Sequence, residues 1–340
     1  MSHTPKVNVV MPAFNAEKYI AEAIASILSQ TFTDFEFIII NDGSTDGTAE
    51  ILKSFARRDS RIQIHHQQNS GVAESMNFGC QVATGKYVAR MDADDISLPA
   101  RLAKQVAYLD QHHEIGLCGT WICSFRDSKE SLVRYPQEPD IALCTLPFKM
   151  SIAGPSLMFR RRLWSEDSVR YRVGVGATDD YLFLVECAKH SHVSSIPEVL
   201  YRYRCHSMQV TDRERDRQHR FARQIRLQQL EDLGLEPSED EINLHESICT
   251  WQLEGDQDWV KKVEAWLVKL KSINLKNRKY PSSAFARVVG DYWFAVCTRN
   301  ARLGLWAYKT FVASPIAIDP GPRTDEKLKL LAKCVAYNFS

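Results

Sequence analysis

The sequence predicts an α/β fold in which helices flank a mostly parallel β-sheet, followed by a helical C-terminal region. Two observations lead to this class. Over the first ~125 residues, short β-branched runs alternate with longer helical patterns, which is the sequence form of βαβ units. From about residue 212 onward, the apolar residues follow a helical period.

The first strand, helix and second strand follow from apolar patterning. Val7–Met11 is β-branched and apolar, so it is the expected first strand. Apolar residues then recur at the 3.6-residue period over 19–28, which indicates an amphipathic helix with Asn15 as its expected N-cap. Phe35–Ile40 is the second strand.

The alternation continues to a fourth strand. Ile51–Phe55 indicates a second helix, Arg61–His65 a third strand and Ala73–Ala83 a third helix. Tyr87–Met91 is the fourth strand, and Pro99 starts the next helix. This order predicts parallel strands joined by crossover helices.

Beyond the apolar run Ile115–Phe125 the pattern is less regular. Prolines in 126–152 predict a mobile loop with a short helix over the site. Strands are then expected at Ser156–Phe159 and Val199–Arg204, with a helix at Asp180–Lys189 between them.

Composition and charge exclude several classes of protein. Hydrophobic residues make up 44% and charged residues 25%, as in soluble globular proteins. The 43 Lys and Arg residues against 42 acids give a net charge of +1, which disfavours a nucleic-acid partner. The first residues contain no long apolar signal region, so we expect a cytoplasmic chain.

The nine cysteines are scattered and form no C-x-x-C pair. We expect reduced thiols that pack in the interior. A structural zinc site is not expected, because such sites usually show closely spaced ligand pairs.

Three polar turns follow strands of the predicted sheet, at 12–15, 41–46 and 92–95. Ligands of open parallel sheets bind at the carboxyl ends of the strands, so these turns should converge on one edge. Neither a P-loop nor a G-x-G-x-x-G motif is present in them.

Asp92, Asp94 and Asp95 place three carboxylates within four residues at a strand end. Like charges this close repel each other unless a cation or water relieves them. Hard oxygen ligands favour Mg²⁺ or Mn²⁺, which also take oxygens from substrate phosphates. The cluster predicts a metal bound together with a phosphate-bearing ligand, and a solvated acidic turn is the alternative.

Four ordered motifs together resemble the bacterial family 2 glycosyltransferases. They are Val-Met-Pro-Ala-Phe-Asn at 10–15, Asn-Asp-Gly-Ser-Thr-Asp at 41–46, Asn-Ser-Gly at 69–71 and Ala-Arg-Met-Asp-Ala-Asp-Asp at 89–95. The resemblance covers residues ~6–211 and implies the Rossmann-like GT-A fold. We expect this domain at 1–211, with a nucleotide-binding half at 1–125 and an acceptor half at 126–211, and a helical region at 212–340.

The resemblance implies a nucleotide pocket at the first two turns. Pro12, Ala13 and Asn15 would line it, and Asp42 would hydrogen-bond the base, usually uracil. Turn formation and helix capping are the alternative role for Asp42 and for Asp46.

The resemblance also assigns Asp92-Ala93-Asp94, a D-x-D motif, to the nucleotide sugar. Asp92 would contact the ribose or the sugar, and Asp94 would bind the Mn²⁺ or Mg²⁺ that bridges the phosphates. Asp95 would support the site and is a further candidate ligand. The metal would neutralise charge on the departing nucleoside diphosphate.

Thr178-Asp179-Asp180-Tyr181 stands where the family has Glu-Asp at a helix start. The resemblance implies that Asp180 is the general base of an inverting transfer, with Asp179 as the alternative base. The structural alternative is capping of the following helix, because two acids at a helix start suit its dipole.

Tyr-Arg-Tyr-Arg-Cys-His at 201–206 is similar to a family ending in which the histidine lies near the diphosphate. His206 is therefore a candidate second metal ligand, and a structural histidine is the alternative. Gly154 stands where the family segment often has His.

The resemblance implies an inverting, metal-dependent transferase. It would move a hexose or N-acetylhexosamine from a UDP-sugar to an oligosaccharide or lipid-linked acceptor of a bacterial surface glycan such as lipooligosaccharide, lipopolysaccharide or capsule. The middle segment resembles lipooligosaccharide N-acetylglucosaminyltransferases. A sugar-1-phosphate nucleotidyltransferase and an inactive glycan-binding protein are the alternatives.

Two groups of residues are compatible with peripheral contact with the inner membrane. Arg213, Arg217 and Arg220 share a helical face that suits phosphates or anionic lipid, and a solvated face is the alternative. Trp306, Tyr308 and Phe311 lie near lysines and suit a membrane surface or a packed core.

Overall fold

The computed structural model describes residues 4–206, 215–317 and 324–337. The chain forms two compact units. The first comprises Met1–Ala142 and Met150–Ala222, and the second comprises Leu143–Lys149 and Arg223–Ser340. The predicted domain boundary at 211/212 lies outside the described residues.

Within its described residues, the first unit is built on a nine-stranded sheet with the order β3-β2-β1-β4-β8-β6-β9-β5, and β7 pairs with β6. The strands are β1 Val7–Ala13, β2 Phe35–Asp42, β3 Ile62–Gln67, β4 Tyr87–Arg90, β5 Ile96–Ser97, β6 Ile115–Arg126, β7 Lys129–Val133, β8 Met158–Arg160 and β9 His192–Arg204.

The sheet is mixed, and most of its strands share one direction. Parallel pairing joins β3, β2, β1 and β4, and β6 is parallel to β9. β8 lies antiparallel between β4 and β6, while β5 and β7 are antiparallel to β9 and β6. The carboxyl ends of β1, β2, β3, β4, β6 and β9 therefore lie toward the same edge of the sheet.

Seven helices accompany this sheet in the described residues. They are α1 Ile20–Leu28, α2 Thr48–Ala56, α3 Val72–Val82, α4 Arg101–Gln111, α5 Pro139–Thr145, α6 Arg162–Ser165 and α7 Asp179–His190. The predicted α/β class is confirmed.

β1 is buried on both faces, as expected for a parallel strand covered by helices. Val9, Val10 and Met11 have no exposed surface. The core cluster that contains Val9 also contains Ile20 and Ile24 of α1. This packing fixes the end of β1, and with it the turn that follows.

The predicted N-cap at Asn15 is wrong. α1 begins after Tyr19, whose side chain makes no capping hydrogen bond. Asn15 has a φ of +47°, and its side-chain oxygen accepts a hydrogen bond from the backbone N–H of Thr45. The Asn15 side chain therefore links two turns instead of starting the helix.

The middle of the chain differs from the prediction in two places. The strand expected at Ser156–Phe159 is Met158–Arg160, because Gly154–Ser156 forms a 3₁₀ turn. Pro155 within this turn has no N–H to give to a strand ladder. The irregular segment 126–152 contains β7 as well as the predicted short helix, α5.

The C-terminal part of the chain is helical over its described residues, as predicted. Its helices are α8 Arg215–Asp232, α9 Glu239–Cys249, α10 Gln257–Asn277, α11 Ser282–Arg299, α12 Leu305–Ala313 and α13 Thr324–Ala336. A capping box between Ser238 and Glu241 starts α9. In the described ranges, no helix combines the length and apolar character needed to cross a membrane.

Candidate active site

The turns after β1 and β2 are joined by hydrogen bonds at the carboxyl edge of the sheet. The Asn15 side-chain oxygen accepts from the Thr45 N–H at 2.8 Å, and the Asn15 N–H donates to the Ser44 hydroxyl at 3.0 Å. Pro12 and Ala13 end β1 and pair in register with Ile40 and Asn41. The four residues predicted to form the nucleotide pocket, Pro12, Ala13, Asn15 and Asp42, are thus on adjoining segments.

Asp42, at the end of β2, holds the turn that follows β3. Its carboxylate accepts hydrogen bonds from the N–H groups of Ser70 and Gly71, each at 2.9 Å, and from the Gln67 amide at 2.7 Å. The side chain is almost fully buried. The turn-forming role expected as an alternative is therefore present, and contact with a base stays a prediction.

The D-x-D motif follows β4. The Asp92 carboxylate accepts a hydrogen bond from Nε of Arg90 at 3.0 Å, and the Asp92 N–H donates to the Tyr201 hydroxyl at 3.3 Å. A quarter of the Asp92 side chain is exposed. Ala93 beside it is buried, so this turn is fixed against the protein interior.

Asp94 lies against His206, which is 112 residues away in the sequence. Their carboxylate oxygen and Nε2 are 2.9 Å apart, and both side chains are partly exposed. Nε of Arg204 donates to the Asp94 carbonyl at 2.7 Å. Burial and the charge of Asp92 raise the pKa of Asp94, and His206 opposes this rise.

Asp95 is buried and binds the backbone of β9. Its carboxylate accepts a hydrogen bond from the Arg204 N–H at 2.7 Å. Burial and the charges of Asp94 and Asp92 raise its pKa well above the usual range. Because its side chain is buried and is bound to the β9 backbone, this position fits a supporting role better than metal ligation.

The side chains of Asp94 and His206 suit a metal ion that takes few protein ligands. In 4–206, 215–317 and 324–337, no three His, Cys, Asp or Glu side chains are grouped as a cation site. Asp94 and His206 supply one carboxylate and one imidazole. Mg²⁺ usually takes one or two carboxylates and fills its other positions with water and substrate phosphates, so this pair fits a nucleotide-bound metal.

Asp179 and Asp180 begin α7, and Thr178 before them makes no side-chain capping bond. The Asp180 carboxylate accepts a hydrogen bond from the Tyr181 N–H at 2.8 Å. A methyl group added to Gly154 would collide with this carboxylate. The glycine that replaces the histidine expected from the family therefore leaves space for the Asp180 side chain.

The environment of Asp180 suits proton transfer near neutral pH. Burial and the neighbouring charge of Asp179 raise the pKa of Asp180 to about 7, and Arg90 opposes this rise. A general base is most effective when its pKa lies near the working pH. Asp179 is more deeply buried, and its pKa is also raised by burial.

Arg90 connects the D-x-D motif with the acids of α7. This buried side chain donates to Asp92 at 3.0 Å and to Asp179 at 3.4 Å. Sequence reasoning missed this role, although Arg90 belongs to the quoted motif. A sequence signal was present, because Arg90 and Asp92 are two positions apart and side chains with this spacing share one face of an extended strand.

The two groups of residues that left membrane contact open differ in their surroundings. Arg217 donates to the Gly174 carbonyl at 3.1 Å, and Arg220 is exposed. Arg213 lies outside the described residues. Phe311 is buried and Trp306 is partly buried, so core packing accounts for Phe311.

Comparison with known proteins identifies related sequences. The model of the family "Glycosyl transferase family 2" matches residues 8–167. An uncharacterized glycosyltransferase of Haemophilus influenzae is 33% identical over 66% of this chain and 73% of its own length. The O-antigen biosynthesis glycosyltransferase WbnJ of Escherichia coli is 33% identical over 59% of this chain and 80% of its own length.

A solved structure shows the same fold at low sequence identity. The structure of S. aureus TarS 1-349 in complex with UDP-GlcNAc has a TM-score of 0.58 and 18% identity, with 96% of this chain and 90% of that chain covered. The chain therefore shares its fold with TarS.

Proposed function

Because the chain belongs to glycosyl transferase family 2 and is a glycosyltransferase, we propose that it transfers a sugar from a UDP-sugar to a hydroxyl of a bacterial surface glycan, with inversion at the anomeric carbon. The sugar is a hexose or an N-acetylhexosamine. One observation carries the proposal: Arg90 contacts both Asp92 of the D-x-D motif and Asp179, the neighbour of Asp180. One side chain thus links the D-x-D motif to the residue beside the proposed base.

Two comparisons support the donor and acceptor classes. TarS, whose fold this chain shares, has been solved with UDP-GlcNAc, which supports a UDP-sugar donor. WbnJ is named for O-antigen biosynthesis, which supports a lipopolysaccharide-type acceptor. Within the chain, the linked turns at Asn15 and Asp42 offer a polar edge for the nucleotide.

In the proposed mechanism, Asp180 takes the proton of the acceptor hydroxyl. The acceptor oxygen attacks the anomeric carbon as the bond to the nucleoside diphosphate breaks, and a single displacement inverts the configuration. Arg90 fixes the adjoining Asp179, and the small Gly154 leaves space at the Asp180 carboxylate. Asp92 contacts the ribose or the sugar.

Asp94 and His206 would hold Mn²⁺ or Mg²⁺ in this mechanism. When bound, the ion supplies Lewis-acid stabilisation of the charge on the departing diphosphate. The two atoms that would bind the ion, a carboxylate oxygen of Asp94 and Nε2 of His206, are hydrogen-bonded to each other at 2.9 Å. Asp95 supports this arrangement through the backbone of β9.

We also propose a cytoplasmic location. Buried free thiols include Cys80, Cys118, Cys187, Cys249, Cys297 and Cys334. Unpaired cysteines are usual in the reducing cytoplasm and uncommon in secreted proteins.

The test is release of UDP from a panel of UDP-sugars with an acceptor glycan array, with Mn²⁺ or with EDTA. We expect EDTA to abolish turnover, and Asp94→Asn to weaken metal-dependent donor use. Asp180→Asn should keep donor binding and lose transfer by a factor of about 10² to 10⁴. Asp258→Asn, at an exposed pair with Lys262, is the matched control and should be fully active.

Two outcomes would count against the proposal. Turnover that persists in EDTA would remove the metal role, and an active Asp180→Asn protein would place the base elsewhere. Release of pyrophosphate from a mixture of UTP and a sugar 1-phosphate would indicate a nucleotidyltransferase instead.

A further inference from the structure

In the second unit, acidic and basic residues are concentrated in different stretches of the sequence. Residues 223–264 contain eleven acids and four Lys or Arg residues. Residues 265–317 contain nine Lys or Arg residues and one acid, Asp291. The net charge of +1 for the whole protein therefore hides a strongly basic part made of the second half of α10, α11 and α12.

Exposed aliphatic side chains lie among these cations. Leu275, near the end of α10, is 56% exposed, and Val312 of α12 is 51% exposed. Lys271, one turn before Leu275, donates a hydrogen bond to the Pro315 carbonyl at 3.2 Å. The end of α10 thus lies against the turn that follows α12. We define the basic patch as Lys271, Leu275, Lys276, Arg278 and Lys279.

The cations at the end of α10 are not neutralised within the described structure. Lys276, Arg278 and Lys279 are exposed, and none forms an ion pair with a described residue. Lys262 and Lys269, on the same helix, do form pairs with Asp258 and Glu241. Favourable interaction with the helix dipole accounts for cations in the last turn but not for the exposed Leu275.

We propose that the basic patch binds the surface of a bilayer that contains anionic phospholipid. A bilayer offers both features the patch needs, because its anionic headgroups attract cations and its acyl boundary accepts aliphatic side chains. A soluble polyanion would attract the cations and leave Leu275 in water. This surface belongs to the second unit, and its binding does not depend on the proposed transfer reaction.

The test is co-sedimentation of the full chain with vesicles, without nucleotide sugar or acceptor. We expect binding to vesicles of equal parts phosphatidylcholine and phosphatidylglycerol, none to phosphatidylcholine alone, and loss of binding at high salt. Lys276→Gln with Lys279→Gln should weaken binding about thirtyfold, since two surface cations are lost. Leu275→Ser should weaken it roughly tenfold.

The matched control is Lys261→Gln with Lys262→Gln, which removes the same charge from the other end of α10. These positions lie about 20 Å along the helix from Lys276, more than two Debye lengths at physiological salt, so binding should change less than about twofold. Thermal unfolding by circular dichroism checks that all variants fold.

Three results would overturn the proposal. The first is equal binding to both vesicle types, and the second is an equal loss of vesicle binding with the control pair. The third is unchanged vesicle binding of Leu275→Ser together with equally strong binding of the chain to soluble polyglutamate. Because the readout is vesicle binding, a failure here leaves the UDP-release assay unaffected, and a failure of that assay leaves vesicle binding interpretable.

Discussion

Asp180 is the residue whose protonation decides the proposed chemistry. Its pKa of about 7 results from burial and from the charge of Asp179. A base accepts a proton only as the carboxylate, so the transfer rate should rise with pH until about 7 and level off above it. Single-turnover rates with saturating donor, measured from about pH 5 to about pH 9, check this expectation. A rate that stays constant down to about pH 5 would contradict it.

Substitution of Arg90 tests the cause of this dependence of the transfer rate on pH. Its positive charge lowers the pKa of Asp180, so Arg90→Gln should move the rise in rate to higher pH. The same change leaves Asp92 and Asp179 without their buried partner and should cost about 3 kcal/mol of unfolding free energy. Arg61→Gln breaks a partly exposed pair with Asp59 and should move neither quantity by much.

Gly154 is expected to control the space available to the base. A methyl group there would collide with the Asp180 carboxylate, so Gly154→Ala should lower the transfer rate by at least about tenfold by displacing the base. Donor binding, measured by calorimetry with UDP, should be unchanged. Gly290→Ala is the control, because its added methyl group meets only the Ile316 carbonyl at 3.8 Å. Equal activity of the two variants would contradict the assignment.

At the scale of elements, the turns after β2 and β3 depend on close backbone approach. Gly43 has a φ of +74°, and an added Cβ would lie 2.8 Å from the backbone nitrogen of Asn69. Gly71 has a φ of +91° but open space around it. Gly43→Ala should therefore introduce backbone strain and also separate the two turns. Gly71→Ala, at a φ of +91° and a ψ of 170°, should carry strain alone, about 1–3 kcal/mol.

Thermal unfolding and UDP titration measure this pair of variants. We expect Gly43→Ala to unfold at a lower temperature than Gly71→Ala and to bind UDP more weakly, because the turns carry Asn15 contacts and the Asp42 anchor. If Gly71→Ala were the more damaging change, backbone strain would outweigh the contact between the turns.

The period of the apolar residues predicts the helices and strands that bury their own apolar side chains in the core. β1, β2 and α1 fall where patterning places them, since each presents its own apolar residues to the core. β8 is only three residues long, and its position between β4 and β6 depends on partners far away in the sequence. The cap at Asn15 failed because tertiary contacts with Thr45 outweighed a local preference.

Candidate site residues could be named from the sequence where a motif is continuous, and contacts assembled by the fold were missed. The D-x-D residues are adjacent, so the sequence displays them together. Arg90 and Asp179 are 89 residues apart, and their contact exists only after β4 and α7 are placed. Spacing alone contains no information on such a pair, and the resemblance assigned Asp94 and His206 separately without predicting the hydrogen bond between them.

At the scale of the whole molecule, the two units are interleaved along the chain. The segment Leu143–Lys149 leaves the first unit and belongs to the second. Phe148 is fully buried there and stacks on Tyr292 with ring centroids 4.4 Å apart. Nε2 of His245 donates a hydrogen bond to the Pro147 carbonyl at 2.9 Å. A cut in the sequence near residue 222 therefore does not separate the units.

A chain truncated after Ala222 should consequently be less soluble than the full protein. It keeps the segment 143–149 but loses Tyr292 and His245, so the Phe148 side chain would face water. In the full chain, Phe148→Ala should cost about 3–5 kcal/mol of unfolding free energy. The measurements are light scattering and binding of an apolar dye. Phe148→Ser in the truncated chain should reduce both signals, and a truncated chain that is monomeric and binds no dye would contradict the expectation.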